Sequence, residues 1–315
     1  MDLQIQYLLM LQHFREATNG LFDGFFLGVT MLGEFMIPFM ITAVIYWGIN
    51  KRAGQLILFA YGITLYVNVF LKMTACIKRP WLLNPSVKPI ESALPAADGY
   101  SFPSGHTAGA TAVWGSIAFN WWKNKLIRYS TLLVIFAVAF SRNYIGVHTP
   151  QDVIVSLILG VFIILGADAL LKLIEKNKNA DMIFYTAAMI FTILLVAYLQ
   201  IRCGGQMQSY DPLTDNVNPL AMKHGSYPKI AFLIGIFTGL ILEKRFVNYR
   251  VPDGYSRKKV VWLIAGIAVL YLIMKHLCTL FMLFVPAYVA HSLLAFVCTL
   301  FITAIYPLVL KKVFS

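Results

Sequence analysis

Residues Gln151–Leu173 read QDVIVSLILGVFIILGADALLKL. The run is near the ~20 apolar residues that carry a helix across a hydrocarbon core. Its second residue is Asp152, four residues after His148, so a membrane span and a charged cluster meet at one point. The rest of the chain repeats this association. Of its 315 residues 59% are hydrophobic and 13% charged, and the mean hydropathy is +0.72, far from the balance of a soluble domain.

About nine spans are predicted, near Phe26–Gly48, Ala53–Met73, Ser104–Trp121, Ile127–Phe140, Gln151–Leu173, Met182–Leu199, Ile230–Leu242, Val260–Phe284 and Tyr288–Leu310. The expected fold is therefore all-α, a polytopic bundle of membrane helices. Residues 3–14 are apolar but carry Gln4, Gln6, Gln12 and His13, without an early basic region or a small-residue cleavage site. They are expected to form an amphipathic helix lying in the interface. Three regions follow: an interfacial segment (1–25), a core of helices carrying the charged clusters (26–200), and an outer loop with three further spans (201–315).

Orientation follows from the basic residues. With the N-terminus outside, the inner loops take the larger share of the 26 Lys and Arg, six of them between Lys244 and Lys259. The charged clusters then face the extracytoplasmic side and the C-terminus the cytoplasm. The net charge of +12 reads as topology and contact with anionic lipid, and makes no case for nucleic acid. No two of the four cysteines share a Cys-x-x-Cys spacing, so no metal site is expected.

Three clusters carry the chemistry. In the first, Lys72 and Arg79 are seven residues apart and share a face if the helix is continuous, with Pro80 stopping it. In the second, Pro103-Ser104-Gly105-His106 has the layout of a loop feeding a helix N-terminus. There the Ser104 and Gly105 amides and the helix dipole can receive an anion, and His106 suits proton transfer. In the third, Ser141-Arg142 precedes His148 and Asp152. A carboxylate on one imidazole nitrogen fixes the tautomer and leaves the other free to attack phosphorus, while the Arg142 fork can hold two phosphoryl oxygens. Each cluster has a plainer reading: a snorkelling cationic end, an ordinary N-cap, a structural His–Asp pair. No plain reading accounts for all three together.

In this order the motifs K-x6-R-P, P-S-G-H and S-R-x5-H-x3-D resemble those of the type 2 phosphatidic acid phosphatase superfamily, with every signature position filled between Lys72 and Asp152. The resemblance implies that His148 is the nucleophile of a phosphohistidine intermediate, oriented by Asp152, and that His106 protonates the leaving oxygen. Lys72, Arg79, Arg142, Ser104 and Gly105 would bind the phosphoryl group, assisted by Ser141. No metal or other cofactor is implied, because three cations supply the charge. The nine-span layout also resembles glucose-6-phosphatase in topology and length.

The leading expectation is a membrane phosphatase of a lipid phosphate or diphosphate. A sugar-phosphate phosphatase and a lipid phosphotransferase using the same phosphohistidine are the alternatives. A transporter would spread polar residues through the membrane's middle, whereas these gather at one face. Glu34, Lys275, His276 and His291 are charged or titratable residues in predicted spans, and Glu34 with Lys275 is a candidate pair at a substrate portal. Arg202–Lys229 reads as an outer loop or lid.

Overall fold

The computed structural model describes residues 3–34, 36–97, 99–177, 179–210 and 217–314. Among them every regular element is helical. In chain order these are α1 (Leu3–Ala17), α2 (Asp23–Thr30), α3 (Met36–Val44), α4 (Lys51–Ala75), α5 (Pro80–Leu83), α6 (Gly105–Asn120) and α7 (Lys125–Tyr144). Then come α8 (Pro150–Lys176), α9 (Ala180–Ser209), α10 (Pro219–Leu242), α11 (Arg257–Leu272), α12 (Cys278–Phe281), α13 (Ala287–Leu300) and α14 (Tyr306–Phe314).

Each predicted span falls on helical segments, some on one helix and others, such as Phe26–Gly48, on two joined by a break. Among the described residues six segments are long and apolar enough to cross a membrane: Lys51–Leu83, Lys125–Tyr144, Pro150–Lys176, Ala180–Ser209, Arg257–Phe281 and Ala287–Phe314. Counting the broken pair Asp23–Gly33 and Met36–Ile49 as one span makes seven. Their outward surface is apolar: on α9, Phe191 and Ile193 are each 65% exposed, which suits hydrocarbon and not water.

Breaks in the helices have local causes. The first predicted span is interrupted at Glu34, which is extended (φ −78°, ψ 164°) after a short 3-10 turn over Met31–Gly33. Pro38 explains this, since its ring excludes a helical carbonyl four residues earlier, at Glu34. The continuous helix expected from Lys72 to Arg79 does not form: α4 ends at Ala75 and Cys76 turns left-handed at φ 52°, a common way to terminate a helix. Pro80, expected as a stop, starts α5 instead. The expected outer loop from Arg202 is also shorter. Arg202 and Gly204-Gly205 continue α9, and Asn218 caps α10 by accepting from Leu220 N at 2.9 Å; Asp211-Pro212 lies outside the described residues.

The chain forms two compact units. One comprises Met1–Pro38, Val67–Ile164 and Leu199–Lys223. Here α1 buries Ile5, Leu8 and Leu11 at helical spacing, with Val87 against the first two. From the polar stretch after α5, Ile90 N donates to Ile145 O on the α7–α8 turn at 3.0 Å. Ala93, Ala97, Tyr144, Ile145 and Val147 form an apolar cluster against which Ile90 packs.

The other unit comprises Phe39–Tyr66, Leu165–Tyr198 and His224–Ser315. Trp47 is fully buried and donates to Ile302 O at 2.8 Å. Buried Glu243 accepts from Lys51 Nζ at 2.6 Å and Tyr249 N at 2.8 Å, so its charge is paired and hydrogen-bonded, as burial requires. Arg52 and Lys172 both meet Asp168, at 2.9 and 2.7 Å.

Candidate active site

The sequence His148-Thr149-Pro150-Gln151-Asp152 is a helix start. Pro150 takes the first helical position, where a missing N–H costs nothing. Thr149 and Asp152 form a reciprocal capping pair: Asp152 Oδ2 accepts from Thr149 N at 2.9 Å, and Thr149 Oγ1 from Asp152 N at 3.4 Å. This fixes the carboxylate beside the residue before the cap. His148 Nδ1 lies 3.2 Å from Asp152 Oδ2, and Asn143 Nδ2 holds the His148 carbonyl at 2.9 Å. Gly146, at φ 83°, makes the reversal from α7 that delivers His148 to this place.

The other imidazole nitrogen faces a cation. Arg79 Nη1 lies 3.0 Å from His148 Nε2 and also donates to Val147 O at 2.9 Å, while its Nε donates to Gly99 O at 3.0 Å. Lys72 Nζ donates to the carbonyls of Tyr100 and, at 3.3 Å, Ser101. His148 is 2% exposed and sits between α7 and α8. Burial foremost, then the charges of Arg79, Arg142 and Lys72, push its imidazole well below the ordinary range. It therefore stands neutral, with Nδ1–H toward Asp152 and a lone pair on Nε2.

Segment 30–34 closes the site from a distant part of the chain. Thr30 Oγ1 accepts from Arg142 Nη1 at 2.8 Å, and Glu34 Oε1 lies 3.3 Å from His106 Nε2. Arg142 is 1% exposed, and its Nε and Nη2 have no hydrogen-bond partner among the described residues. Buried unsatisfied donors on a guanidinium are costly, and these form the edge of a fork shaped for two oxygens of an anion.

All nine sequence-predicted residues lie in one unit, at the last turns of α4 and α7, the first turns of α6 and α8, and the links between. Two of them point elsewhere. The Ser141 hydroxyl donates to Val138 O at 2.7 Å within its own helix. Ser104 is the N-cap of α6, its Oγ accepting from Thr107 N at 3.4 Å and its own amide donating to Asp152 O at 3.2 Å. That leaves the Gly105 and His106 amides, which precede the first intrahelical bond, as backbone donors at this end. Glu34 meets His106, and Lys275 lies over the Tyr271 ring at 5.8 Å.

The sequence reading missed Ser101. This fully buried hydroxyl donates to Asp152 Oδ2 at 2.5 Å and stands 3.4 Å from His148 Nδ1. It also missed Thr30 and Asn143. None has a periodic or motif spacing to the residue it serves; the one usable signal was Ser101's position two residues before Pro103.

Residues 54–178 match the PAP2 superfamily, and residues 227–314 match the transmembrane extension of PAP2 superfamily phosphatases. The two matches together take in more than half of the chain, and the first contains every motif residue. The chain belongs to the PAP2 superfamily. It is similar to undecaprenyl-diphosphatase BcrC of Bacillus subtilis (strain 168), 28% identical over 149 residues, 46% of this chain and 72% of that protein. It is also similar to phosphatidylglycerophosphatase B of the same organism, 29% identical over 160 residues, 46% of this chain and 74% of the relative. No solved structure matches. As a PAP2 protein with a transmembrane extension and apolar spanning helices, it is an integral membrane phosphatase.

Proposed function

We propose that this PAP2 phosphatase hydrolyses a lipid phosphate or diphosphate at the extracytoplasmic face, through a phosphohistidine on His148 and without a metal. The observation that carries the reading is the buried set around His148: Asp152 on Nδ1, Arg79 at Nε2, and Arg142 with two donors unpartnered among the described residues. Both relatives are named for lipid phosphate substrates, which supports the same substrate class here.

In the first step His148 Nε2 bonds to phosphorus as the bond to the leaving oxygen breaks, and His106 gives that oxygen a proton. Arg79, Arg142, Lys72 and the Gly105 amide hold the three equatorial oxygens, where charge accumulates. Asp152, kept in place by Ser101 and Thr149, holds the Nδ1 proton and offsets the positive imidazole. Water then attacks phosphorus, His106 takes its proton, and the N–P bond breaks.

For topology we propose nine spans: the seven above with α6 and α10 added. The 16 residues of α6 reach about 24 Å, with Trp121 and Trp122 at headgroup level. Helix α1 rests in the interface, presenting Leu3 and Met10 toward acyl chains. The basic stretch Lys244–Lys259 marks the cytoplasmic side.

Phosphate release by the purified protein in detergent and EDTA tests this, comparing long-chain alkyl phosphates, their diphosphates and glucose 6-phosphate. Turnover of the lipid substrates, abolished in His148→Ala, is expected. Turnover of glucose 6-phosphate alone would overturn the lipid assignment, and loss in EDTA the metal independence.

A further inference from the structure

Glu34 lies outside both matched regions, 54–178 and 227–314, and no motif includes it. Its placement is nonetheless constrained from several sides. Pro38 denies it a helical conformation. Trp114 Nε1, on α6, donates to Leu32 O at 2.9 Å. A Cβ on Gly33 would stand 2.6 Å from the His106 carbonyl oxygen and 2.9 Å from Val138 Cγ1, so only glycine lets this segment approach so closely. Thr30 is tied to Arg142. The chain entering α3 is thereby pressed onto the start of α6, with the Glu34 carboxylate 3.3 Å from His106 Nε2.

From this geometry we propose that Glu34 is a positioning residue for His106, and that it sets how well the enzyme expels a poor leaving group. The inference rests on the reading of His106 as the acid. A carboxylate on Nε2 holds that nitrogen as a donor, so the proton passed to substrate is the one on Nδ1. It also supplies negative charge to a histidine that has Arg142 and Arg79 in its field, which favours the imidazolium.

The chemistry follows with its balance explicit. His148 Nε2 bonds to phosphorus, the P–O bond breaks, and the leaving oxygen keeps the electron pair and takes the His106 Nδ1 proton. When water later bonds to phosphorus and the N–P bond breaks, the water proton returns to Nδ1. An alkoxide leaving from a phosphomonoester is a strong base and depends on that proton. An alkyl phosphate leaving from a diphosphate is a stable anion and depends on it little. Glu34 therefore matters for monoesters far more than for diphosphates.

The test compares the full-length protein with Glu34→Gln, Glu34→Asp and His106→Asn in detergent, on decyl phosphate and decyl diphosphate. Glu34→Gln is expected to lower kcat on decyl phosphate about 10- to 100-fold, and on decyl diphosphate by less than about threefold, with KM little changed. Glu34→Asp, which keeps the charge, is expected to recover part of the monoester loss. Equal losses on both substrates, or none on either, would overturn the proposal. His106→Asn separates the two layers: it should show the same discrimination, and if it slows both substrates equally the acid assignment itself fails. Unfolding temperature reports the integrity of each variant, and if Glu34→Gln does not fold, Glu34→Asp carries the same substrate comparison.

Discussion

Arg79 Nη1 lies 3.0 Å from His148 Nε2, so the guanidinium donates to the lone pair that attack on phosphorus requires. A phosphoryl oxygen that draws this donor to itself both binds the group and uncovers the nucleophile. The same guanidinium braces the loop and turn through Gly99 O and Val147 O.

Lysine keeps the charge at position 79 but has no planar fork to serve three acceptors. Arg79→Lys is accordingly expected to lower kcat/KM by about 10²- to 10³-fold, the usual effect of removing one donor to developing charge. Phosphate release kinetics check this, and near-wild-type turnover would contradict the role.

Ser101 bonds to Asp152 and approaches His148, yet needs no contact with substrate. Ser101→Ala removes one of the hydrogen bonds to a buried carboxylate, worth about 1 to 2 kcal/mol. The expected result is a fall of about 10-fold in kcat with KM held, read from the same assay.

Close approach at Gly33 is a steric requirement. Gly33→Ala places a methyl against the His106 carbonyl, and overpacking of this kind costs about 1 to 3 kcal/mol. A lower unfolding temperature in detergent, together with reduced turnover, is the expected outcome.

The depressed imidazole of His148 has a thermodynamic consequence. The unfolded chain binds a proton here as pH falls below about 6.5, the ordinary histidine value, whereas the folded chain does not until lower pH. Stability therefore falls with pH below about 6.5, by up to about 1.4 kcal/mol per pH unit, and is unaffected by this group above it. His148→Gln is expected to lose less stability than the parent protein between about pH 7.5 and about pH 5.5, as thermal unfolding would report.

Hydropathy located the helices because an apolar run needs only local information. It placed spans on α4, α8 and α9, and missed the break at Glu34, although Gly33 and Pro38 bracket it. The shared face of Lys72 and Arg79, which needed a helix continuous through Cys76, fails because left-handed backbone at a non-glycine residue has no sequence signal. At the site, the motif residues were legible because His148, Asp152 and their cap are neighbours along the chain. Ser101, Thr30 and Glu34 were not legible as partners of His148, Arg142 and His106. Their contacts join residues 47, 112 and 72 positions apart, and single polar residues at such separations carry no pattern. Ser104 was read correctly as a cap in its plainer reading, but its amide proves to be spent on Asp152 O.

The most direct test of the account is to trap the intermediate. Protein mixed briefly with a radiolabelled lipid phosphate and quenched in alkali should carry label on His148, stable in base and released by acid. His148→Ala should carry none. Steady turnover by wild-type protein with label on another residue, or turnover surviving in His148→Ala, would contradict the phosphohistidine mechanism.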